Sequence, residues 1–338
     1  MKIVVDAMGG DEAPKHIIDG VILAARAWVS TGVNHEIILT GDKDVVMKEI
    51  ERCGGRDLCG NILRLEHTAC VIDMHESLAD AWRNKSGSSI HRGAELVKSG
   101  QADAFIGMGN TGAMMTAGLL GVGRIEGVQR PTIGAFFPTA RGRSLVLDVG
   151  AVTDCKPQHL LQFGLMGSIY MEAMWGVKNP TVGLLSIGEE DSKGNEVTKE
   201  TNALFREKKL FNFAGNVEGR DILKGTTDVI VCDGFVGNIV LKFGESVPGF
   251  LKARFKQAAE SSFMTKLQLL LAKTGIKGVF KDMNYEEYGG VPLLGVNGVV
   301  IIGHGSSSPK AMYNAIMVAQ KMVDKKINEV IKERIRLS

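Results

Sequence analysis

The residues best suited to chemistry lie in six short polar loops, each of which follows an apolar run and precedes a helix-like segment. Glycine occurs in every one of these loops, which span residues 6–14, 109–113, 148–157, 188–195, 233–238 and 303–309. Backbone N–H groups at the start of a helix lack intrahelical partners and can bind an anion. In a parallel sheet, such loops gather beyond the carboxyl ends of the strands, where ligands bind. The pattern therefore predicts a site for a phosphate-bearing substrate.

The common catalytic signatures are missing from this sequence. It contains no P-loop motif and no Gly-x-Ser-x-Gly nucleophile elbow, and no Gly-x-Gly-x-x-Gly opens a helix ahead of an acidic residue, so a standard dinucleotide fingerprint is absent. It also has no His-Glu-x-x-His or paired-cysteine pattern that would hold a metal, so we expect neither a metal nor an organic cofactor. The loops offer Asn, Thr, Ser, Lys, Asp and backbone amides. This set of groups can position an anion and stabilise an oxyanion without a covalent nucleophile.

Two of the loops carry charged candidates. Lys193 lies between Gly188 and Gly194 after a predicted strand, where it could hold a phosphate or donate a proton. It could equally be a solvated lysine, as most lysines are. Asp233 and Asn238 bracket a Gly-Phe-Val-Gly turn, where they could orient the substrate or the lysine. Both residue types are also natural turn formers and helix caps, so the alternative stays open.

The remaining candidates present the same choice between binding and structure. Asn110 and Thr111 precede a small-residue helix, which either could simply cap. His304 lies between two glycines at a strand end, where a histidine can bind phosphate or serve the fold. Arg141 and Arg143 could clamp a phosphate, but the Arg-Gly-Arg sequence favours a solvated hairpin turn.

Bulk properties limit the class of protein. The chain has 338 residues, of which 44% are hydrophobic and 23% are charged, as expected for a globular enzyme. Its formal net charge of +2 gives no indication of nucleic-acid binding. Five cysteines without a paired motif fit a reducing cytosol, and no run is long enough to span a membrane. We therefore expect a cytoplasmic protein.

Apolar runs alternate with helical patterns along most of the chain. We predict nine strands, at residues 3–5, 36–40, within 62–71, and at 103–108, 132–137, 144–149, 181–187, 228–232 and 299–302. A long helix is predicted over 310–336. This alternation indicates an α/β fold, with helices on both faces of a mainly parallel sheet in a three-layer αβα arrangement. The length and pattern are consistent with one catalytic unit, 1–338, or with two intimately joined lobes, with a projecting helical insertion at 246–290 in either case.

The insertion has an unusual charge and apolar pattern. Residues 252–281 contain seven basic residues and one acidic residue. Phe263, Leu267, Leu270 and Leu271 recur within this segment at helical spacing. A basic amphipathic helix can lie on an anionic membrane, although packing against a second helix explains the same periodicity.

Taken together, the motifs resemble those of the bacterial phosphate acyltransferases of phospholipid synthesis, the PlsX family. The resemblance follows the order of the chain over nearly its whole length. It rests on Val5-Asp-Ala-Met-Gly-Gly-Asp-x-Ala-Pro14, Gly109-Asn-Thr-Gly-Ala113, Asp233-Gly-Phe-x-Gly-Asn238, Gly289-Gly-Val-Pro-Leu-Leu-Gly-Val296 and His304-Gly-x-Ser307. Two positions depart from the family pattern: Val152 replaces the usual Asn, and Met108 replaces a small residue.

The resemblance implies an acyl-[acyl-carrier-protein]:phosphate acyltransferase. Such enzymes convert a long-chain acyl thioester and inorganic phosphate to acyl phosphate and free acyl carrier protein, and the product passes to the membrane glycerol-3-phosphate acyltransferase. The family is homodimeric, is peripherally associated with the membrane, and has a fold similar to phosphotransacetylase and the isocitrate/isopropylmalate dehydrogenases. On this basis Lys193 would bind phosphate or donate a proton, and Asp233 would orient it. Hydrogen bonds around phosphate and carbonyl would come from Asn110, Thr111, Asn195 and Asn238, with His304 at the phosphate.

Three other functions remain open at this point. A phosphotransacetylase-like enzyme would take short acyl groups from coenzyme A and would need a nucleotide pocket. A nicotinamide-dependent decarboxylating dehydrogenase would need metal-binding aspartates, which we do not find. A non-catalytic scaffold at the membrane surface would be supported only by the basic helix. Fold analogy alone does not choose among them.

Overall fold

The computed structural model describes residues 1–72, 76, 82, 84–282 and 288–338 of the chain. Eleven described strands form one sheet: β1 Lys2–Asp6, β2 Glu36–Gly41, β3 Leu63–His67, β4 Ala104–Gly107, β5 Thr132–Thr139, β6 Gly142–Leu147, β7 Thr181–Leu185, β8 Asn212–Val217, β9 Val229–Val231, β10 Val291–Leu294 and β11 Val299–Ile302. Their order across the sheet is β3-β2-β1-β4-β11-β10-β5-β6-β9-β7-β8. Among these strands, seven of the ten neighbouring pairs are parallel. The prediction of a mainly parallel α/β sheet is confirmed.

The helices lie on both faces of this sheet. They are α1 Lys15–Thr31, α2 Lys43–Arg52, α3 Ser89–Lys98, α4 Thr111–Thr116, α5 Pro157–Trp175, α6 Glu196–Lys208, α7 Gly234–Ser261, α8 Phe263–Asp282, α9 Pro309–Asp324 and α10 Ile327–Arg336. Buried apolar side chains form one core on each face, because alternate strand residues such as Val4 and Val5 point to opposite sides. The result is the expected three-layer arrangement.

Strand direction changes in the middle of the sheet. Strands β1 to β4 and β11 run one way, while β6, β7, β8 and β9 run the other way, because β10 and β5 join the two groups through antiparallel pairs. The register sets where each group ends. Leu293 pairs with both Val300 and Ile133, and Leu147 pairs with Gly134. The carboxyl ends of β6 and β11 therefore lie within about one residue of the same level, and the two half-sheets direct their loops toward one another.

Two strands were missed by the sequence prediction. The outer strand β8 has alternating exposure instead of a buried run, and its partner β7 shifts register at Val182/Gly183. The short strand β10 contains Pro292, which argues against a central strand in any sequence-based reading. The prediction of one helix over 310–336 was also wrong. Lys326 adopts a left-handed conformation (φ 51°), so that α9 ends before it and α10 begins after it.

The segment predicted as an insertion, 246–290, is largely helical. It contains the second half of α7 and all of α8, while residues 283–287 lie outside the described part of the chain. Helix α7 begins earlier, at Gly234, directly after β9, and Pro248 lies within it. The two helices contact each other through Phe255 and Phe280, whose rings meet edge to face.

Candidate active site

A cavity of about 1430 Å³ opens where the loops of the two half-sheets meet. One half-sheet contributes Thr111, Gly303 and His304 to its lining, and the other contributes Gly150 and Asn238. Four of the six predicted loops are therefore brought together in the described structure. We call this region the polar end of the cavity.

A helix begins at each of the six predicted loops, and a side chain caps the first turn of four of these helices. Asn110 Oδ1 accepts a hydrogen bond from Ala113 N at 3.1 Å at the start of α4, and Asp233 Oδ1 accepts one from Val236 N at 2.9 Å at the start of α7. Asn195 Oδ1 caps α6 in the same way, accepting from Thr198 N at 2.9 Å. Three predicted site residues are thus helix caps. Capping fixes the direction of the neighbouring backbone N–H groups, which is the property an anion site needs.

On one side of the polar end, the loops after β1, β4 and β11 contact one another through their backbones. Asp11 N donates to Gly305 O at 2.8 Å, which joins the first and last loops. A Cβ atom built on Gly9 would lie 3.2 Å from the Cα atom of Gly109, so these two loops approach each other as closely as glycine allows. His304 is exposed, and its Nδ1 lies 2.8 Å from Ser306 Oγ.

On the other side of the polar end, a buried carboxylate holds the loop after β6 in place. Asp148 follows β6 and is fully buried. Its Oδ1 accepts a hydrogen bond from Ile133 N at 3.0 Å, and its Oδ2 accepts one from Val152 N at 2.6 Å. Burial raises the pKa of this carboxyl to about 6, against the opposing effect of the backbone donors.

A second buried aspartate lies on the opposite side of the polar end, at the end of β1. Asp6 ends β1, and its Oδ1 accepts from Met8 N at 3.0 Å, while burial raises its pKa as well. Both aspartates lie in the predicted loops, yet sequence reasoning did not assign them a role. The available signal was an aspartate at the end of a buried strand followed by glycine within three residues, in both loops.

Lys193 lies on the exposed loop after β7. Neither Lys193 nor Asn195 belongs to the cavity lining, and within the described ranges no hydrogen bond or ion pair joins Lys193 to Asp233. A polar cluster holds this loop in place. Asn216 Nδ2 donates to Glu190 O at 2.9 Å, and Asn202 Nδ2 donates to Asn216 Oδ1 at 2.9 Å. The backbone of the loop is therefore fixed, while the lysine side chain extends from it.

The other end of the cavity is apolar. Its walls include Ile133, Ala135 and Phe137 of β5, together with side chains of the two long helices: Leu241, Val247, Phe255, Leu269, Ile276 and Phe280. Four lysines also line it: Lys242, Lys252, Lys256 and Lys273. A long apolar ligand with an anionic head group would suit this combination of walls. We call this region the apolar end.

Neither cysteine beside the polar end has the properties of a nucleophile. Burial raises the pKa of Cys155 to about 12 and that of Cys232 well above its usual value, so both are neutral thiols. The arginines of the β5–β6 hairpin also lie elsewhere. Arg141 is in the exposed turn, as predicted, whereas Arg143 is half-buried and stacks on Trp175, with its guanidinium carbon 3.8 Å from the ring centre.

Two features are absent from the described residues. No group of three or more potential metal-binding side chains lies close together in these ranges. None of the helices in the same ranges combines the length and apolarity that crossing a bilayer requires.

The chain matches known proteins over nearly its whole length. Residues 1–330 match the model of a family described as fatty acid synthesis protein. The phosphate acyltransferase of Heliobacterium modesticaldum is 48% identical, over 99% of this chain and 98% of the relative. The phosphate acyltransferase of Pelotomaculum thermopropionicum is 46% identical, over 99% and 95% respectively.

Solved structures show the same fold at much lower sequence identity. A phosphotransacetylase from Streptococcus pyogenes superimposes with a TM-score of 0.62 at 16% identity, covering 96% of this chain and 94% of that one. The EutD phosphotransacetylase from Staphylococcus aureus gives a TM-score of 0.59, also at 16% identity, with the same coverage. The family resemblance seen in the motifs is thus confirmed: this chain belongs to the phosphate acyltransferase family of fatty acid and phospholipid synthesis and is an acyltransferase.

Proposed function

We propose that this enzyme transfers a long-chain acyl group from acyl carrier protein to inorganic phosphate. The observation that carries the proposal is the continuity of one cavity, in which helix N-termini and small polar groups meet a long apolar space. A phosphate would bind at the polar end and the acyl chain would occupy the apolar end. The thioester carbonyl would then lie between them.

The chemistry needs no covalent enzyme intermediate, because phosphate is itself the nucleophile. A phosphate oxygen attacks the thioester carbonyl carbon, and the C–S bond breaks as the tetrahedral intermediate collapses to acyl phosphate. Holding the two reactants in line removes much of the entropic barrier. Fixed N–H donors at the starts of α4 and α7, with Thr111 and Asn238 beside them, would stabilise the oxyanion.

The leaving thiolate requires a proton, and we assign that role, or phosphate binding, to Lys193. Its side chain is exposed on a backbone that the Asn202–Asn216 pair holds in place. The role requires the side chain to turn toward the polar end when substrate is bound. Asp233 would then orient it while still capping α7, and His304 would contact the phosphate from the opposite half-sheet.

A carrier protein is the thioester donor that we favour over coenzyme A. The four lysines along the apolar end offer a basic surface for an acidic protein, and long-range attraction of this kind speeds association. A phosphotransacetylase-like enzyme acting on acyl-coenzyme A remains the alternative. A direct comparison of palmitoyl-carrier protein with palmitoyl-coenzyme A at equal concentration distinguishes the two.

We further propose a homodimer in the cytoplasm whose α8 helices touch the anionic membrane surface. Phe263, Leu267, Leu270 and Leu271 are all exposed on α8, in a segment with a large excess of basic residues. Such a helix would place the apolar end of the cavity beside the lipid that receives the product. Acyl phosphate would then pass to a membrane acyltransferase acting on glycerol 3-phosphate.

The reaction is tested with purified protein, palmitoyl-carrier protein and phosphate, in the presence of a chelator. Acyl phosphate is trapped as a hydroxamate, and omission of phosphate is the control. We expect phosphate-dependent product without added metal or nucleotide. A requirement for a divalent ion, or release of free palmitate as the first product, would refute the proposal.

A further inference from the structure

We infer that Asp148 is a positioning residue, whose carboxylate holds the Gly150 loop and the first turn of α7 in the arrangement that the polar end requires. This inference rests on the proposed function for its kinetic readout but not for its structural one. Asp148 was not among the expected site residues. It lies under the cavity and does not line it, so its role must act through the residues it contacts.

The two carboxylate oxygens bridge strand β5 and the loop after β6. Oδ1 accepts a hydrogen bond from Ile133 N on β5, and Oδ2 accepts one from Val152 N in the loop after β6. The carbonyl of Val152 in turn accepts from Gly234 N, the first residue of α7, at 2.8 Å. A chain of hydrogen bonds therefore runs from the wall of the cavity through Asp148 to the helix that carries Asn238.

Packing of α7 against Asp148 is as close as glycine permits. A Cβ atom built on Gly234 would lie 2.6 Å from Asp148 Oδ2, and one built on Gly237 would lie 1.8 Å from Asp148 O. Asn238 follows directly and reaches Gly150, since its Oδ1 would lie 3.5 Å from a Cβ atom at that position. The position of Asn238 thus depends on Asp148.

These contacts also account for the Val152 departure from the family pattern. Residue 152 acts here through its backbone. Its N–H donates a hydrogen bond to Asp148 Oδ2, and its carbonyl oxygen accepts one from Gly234 N. Neither contact uses the side chain, so a valine can occupy this position without loss of the connection.

Asp148→Asn provides the first test, because it places an NH₂ group or a weaker amide oxygen against two backbone donors. Displacement of catalytic groups by about 1 Å can cost about 10² in rate, and we expect a loss of that order in kcat. The KM for the palmitoyl thioester should change little, because the chain binds at the apolar end. Asp44→Asn, at an exposed aspartate on α2 outside the cavity lining, is the control and should retain wild-type turnover.

The pH profile separates positioning from a general folding defect. Ionised Asp148 accepts from both donors, so the ratio of wild-type to Asp148→Asn turnover should rise from about pH 5 to about pH 7. Titration of phosphate cancels in this ratio. The titratable groups facing Asp148 are the Cys155 and Cys232 thiols, both neutral in this range, and both thiols also face Asp233, with Asp154 beside Cys155. A flat ratio would overturn the inference.

Hydrogen exchange gives a readout that does not depend on turnover. In Asp148→Asn, peptides covering 148–156 and 232–238 should exchange faster, while a peptide from α1 should be unchanged. Unchanged exchange at both sites would refute the positioning role even if the enzyme is active. If exchange changes but wild-type protein makes no acyl phosphate, only the proposed function fails.

A second variant covers the case in which Asp148→Asn does not fold. Gly234→Ala leaves the carboxylate intact but forces the start of α7 away from Asp148 Oδ2 and Val152 O. We expect turnover to fall at least tenfold at every pH. Wild-type turnover in folded Gly234→Ala protein would show that this contact does not position the site.

Discussion

The two ends of the cavity are built in different ways. At the polar end, loops leave strands whose last residues are buried, and capping residues, glycine contacts and two buried aspartates fix their backbones. At the apolar end, two long helices supply much of the wall, and many of their large side chains remain exposed, including Phe243 at 71% and Leu271 at 78%.

This difference matches the tasks that we propose for each end. Stabilising an oxyanion depends on donors held within a few tenths of an ångström, which buried strands and short loops provide. Holding an acyl chain needs only apolar volume, since hydrophobic contact has no direction. The helices can therefore leave a face uncovered, and that face is available to a second chain, a carrier protein or a membrane.

The largest effect should follow from removing Lys193 at the polar end. We expect Lys193→Ala to lower kcat by about 10²–10³, the usual cost of losing one fixed electrostatic contact. Steady-state assays with palmitoyl-carrier protein measure it. Lys199→Ala removes a nearby exposed lysine on α6 and should have little effect. Near-wild-type turnover in folded Lys193→Ala protein would remove this residue from the mechanism.

Asp233→Ser tests whether the cap of α7 also serves the reaction. Serine caps a helix about as well as aspartate, so the melting temperature should change little. Loss of the Asp233 carboxylate, which we propose orients Lys193, should lower turnover by about tenfold or more. If Asp233→Ser is as active as the wild type, Asp233 acts only as a cap.

Folding stability should respond to pH through Asp148, in the direction opposite to activity. Its folded pKa of about 6 exceeds the ordinary aspartate pKa of 3.8, so the folded state binds more protons between these values. The contribution of Asp148 to stability is therefore fully present below the lower pKa and is lost as pH rises through about 6, a change of up to about 3 kcal/mol. Denaturant unfolding of the wild type and Asp148→Asn at several pH values measures the difference. Because asparagine does not ionise, a stability gap that does not change with pH would contradict this pKa.

Sequence reasoning located the loops because each combines a buried apolar run with glycine and a helix start. Loops 109–113 and 233–238 were recognisable for this reason, and both contribute to the polar end. The reversal of strand direction was not predictable in the same way. It depends on β10, whose proline argues against a strand, and on the register of β5 with its two neighbours.

The contacts of individual side chains were harder still to predict. Asn110, Asn195 and Asp233 have residue types suited to capping and to ligand binding alike, so sequence could not separate the two roles. Asp148 was overlooked because its importance comes from contacts with Ile133 and Gly234, which are distant in the chain. The cavity itself arises between β5 and two helices, and no local pattern encodes such a space.

At the apolar end, Val247→Trp should alter chain-length preference and leave the chemistry intact. Val247 lines the cavity nine residues after Asn238, roughly 13 Å farther along the helix axis. A tryptophan there should lower kcat/KM for palmitoyl thioester about tenfold, as overpacking an apolar site costs about 1–3 kcal/mol. Butyryl thioester should be unaffected. Ser246→Trp is the control, because that exposed neighbour is not part of the lining.

An equal loss of kcat/KM with palmitoyl and butyryl thioesters would mean that Val247→Trp disturbs the polar end. No change on either would mean that the acyl chain does not occupy this part of the cavity. Either result would contradict the proposal that the polar end carries out the chemistry while the apolar end holds the acyl chain.

The smallest effect should come from trimming the exposed face of α8. Leu271→Ala removes apolar surface that would enter the lipid boundary, and partial insertion makes this worth about 1 kcal/mol. Binding to anionic liposomes should weaken roughly fivefold, and added salt should weaken it further because the basic segment contributes a screened attraction. Co-sedimentation measures both effects. Leu23→Ala, which trims an exposed leucine on α1, should leave binding unchanged. If Leu271→Ala binds liposomes like the wild type, the exposed row on α8 packs against protein, and a second chain is then its favoured partner.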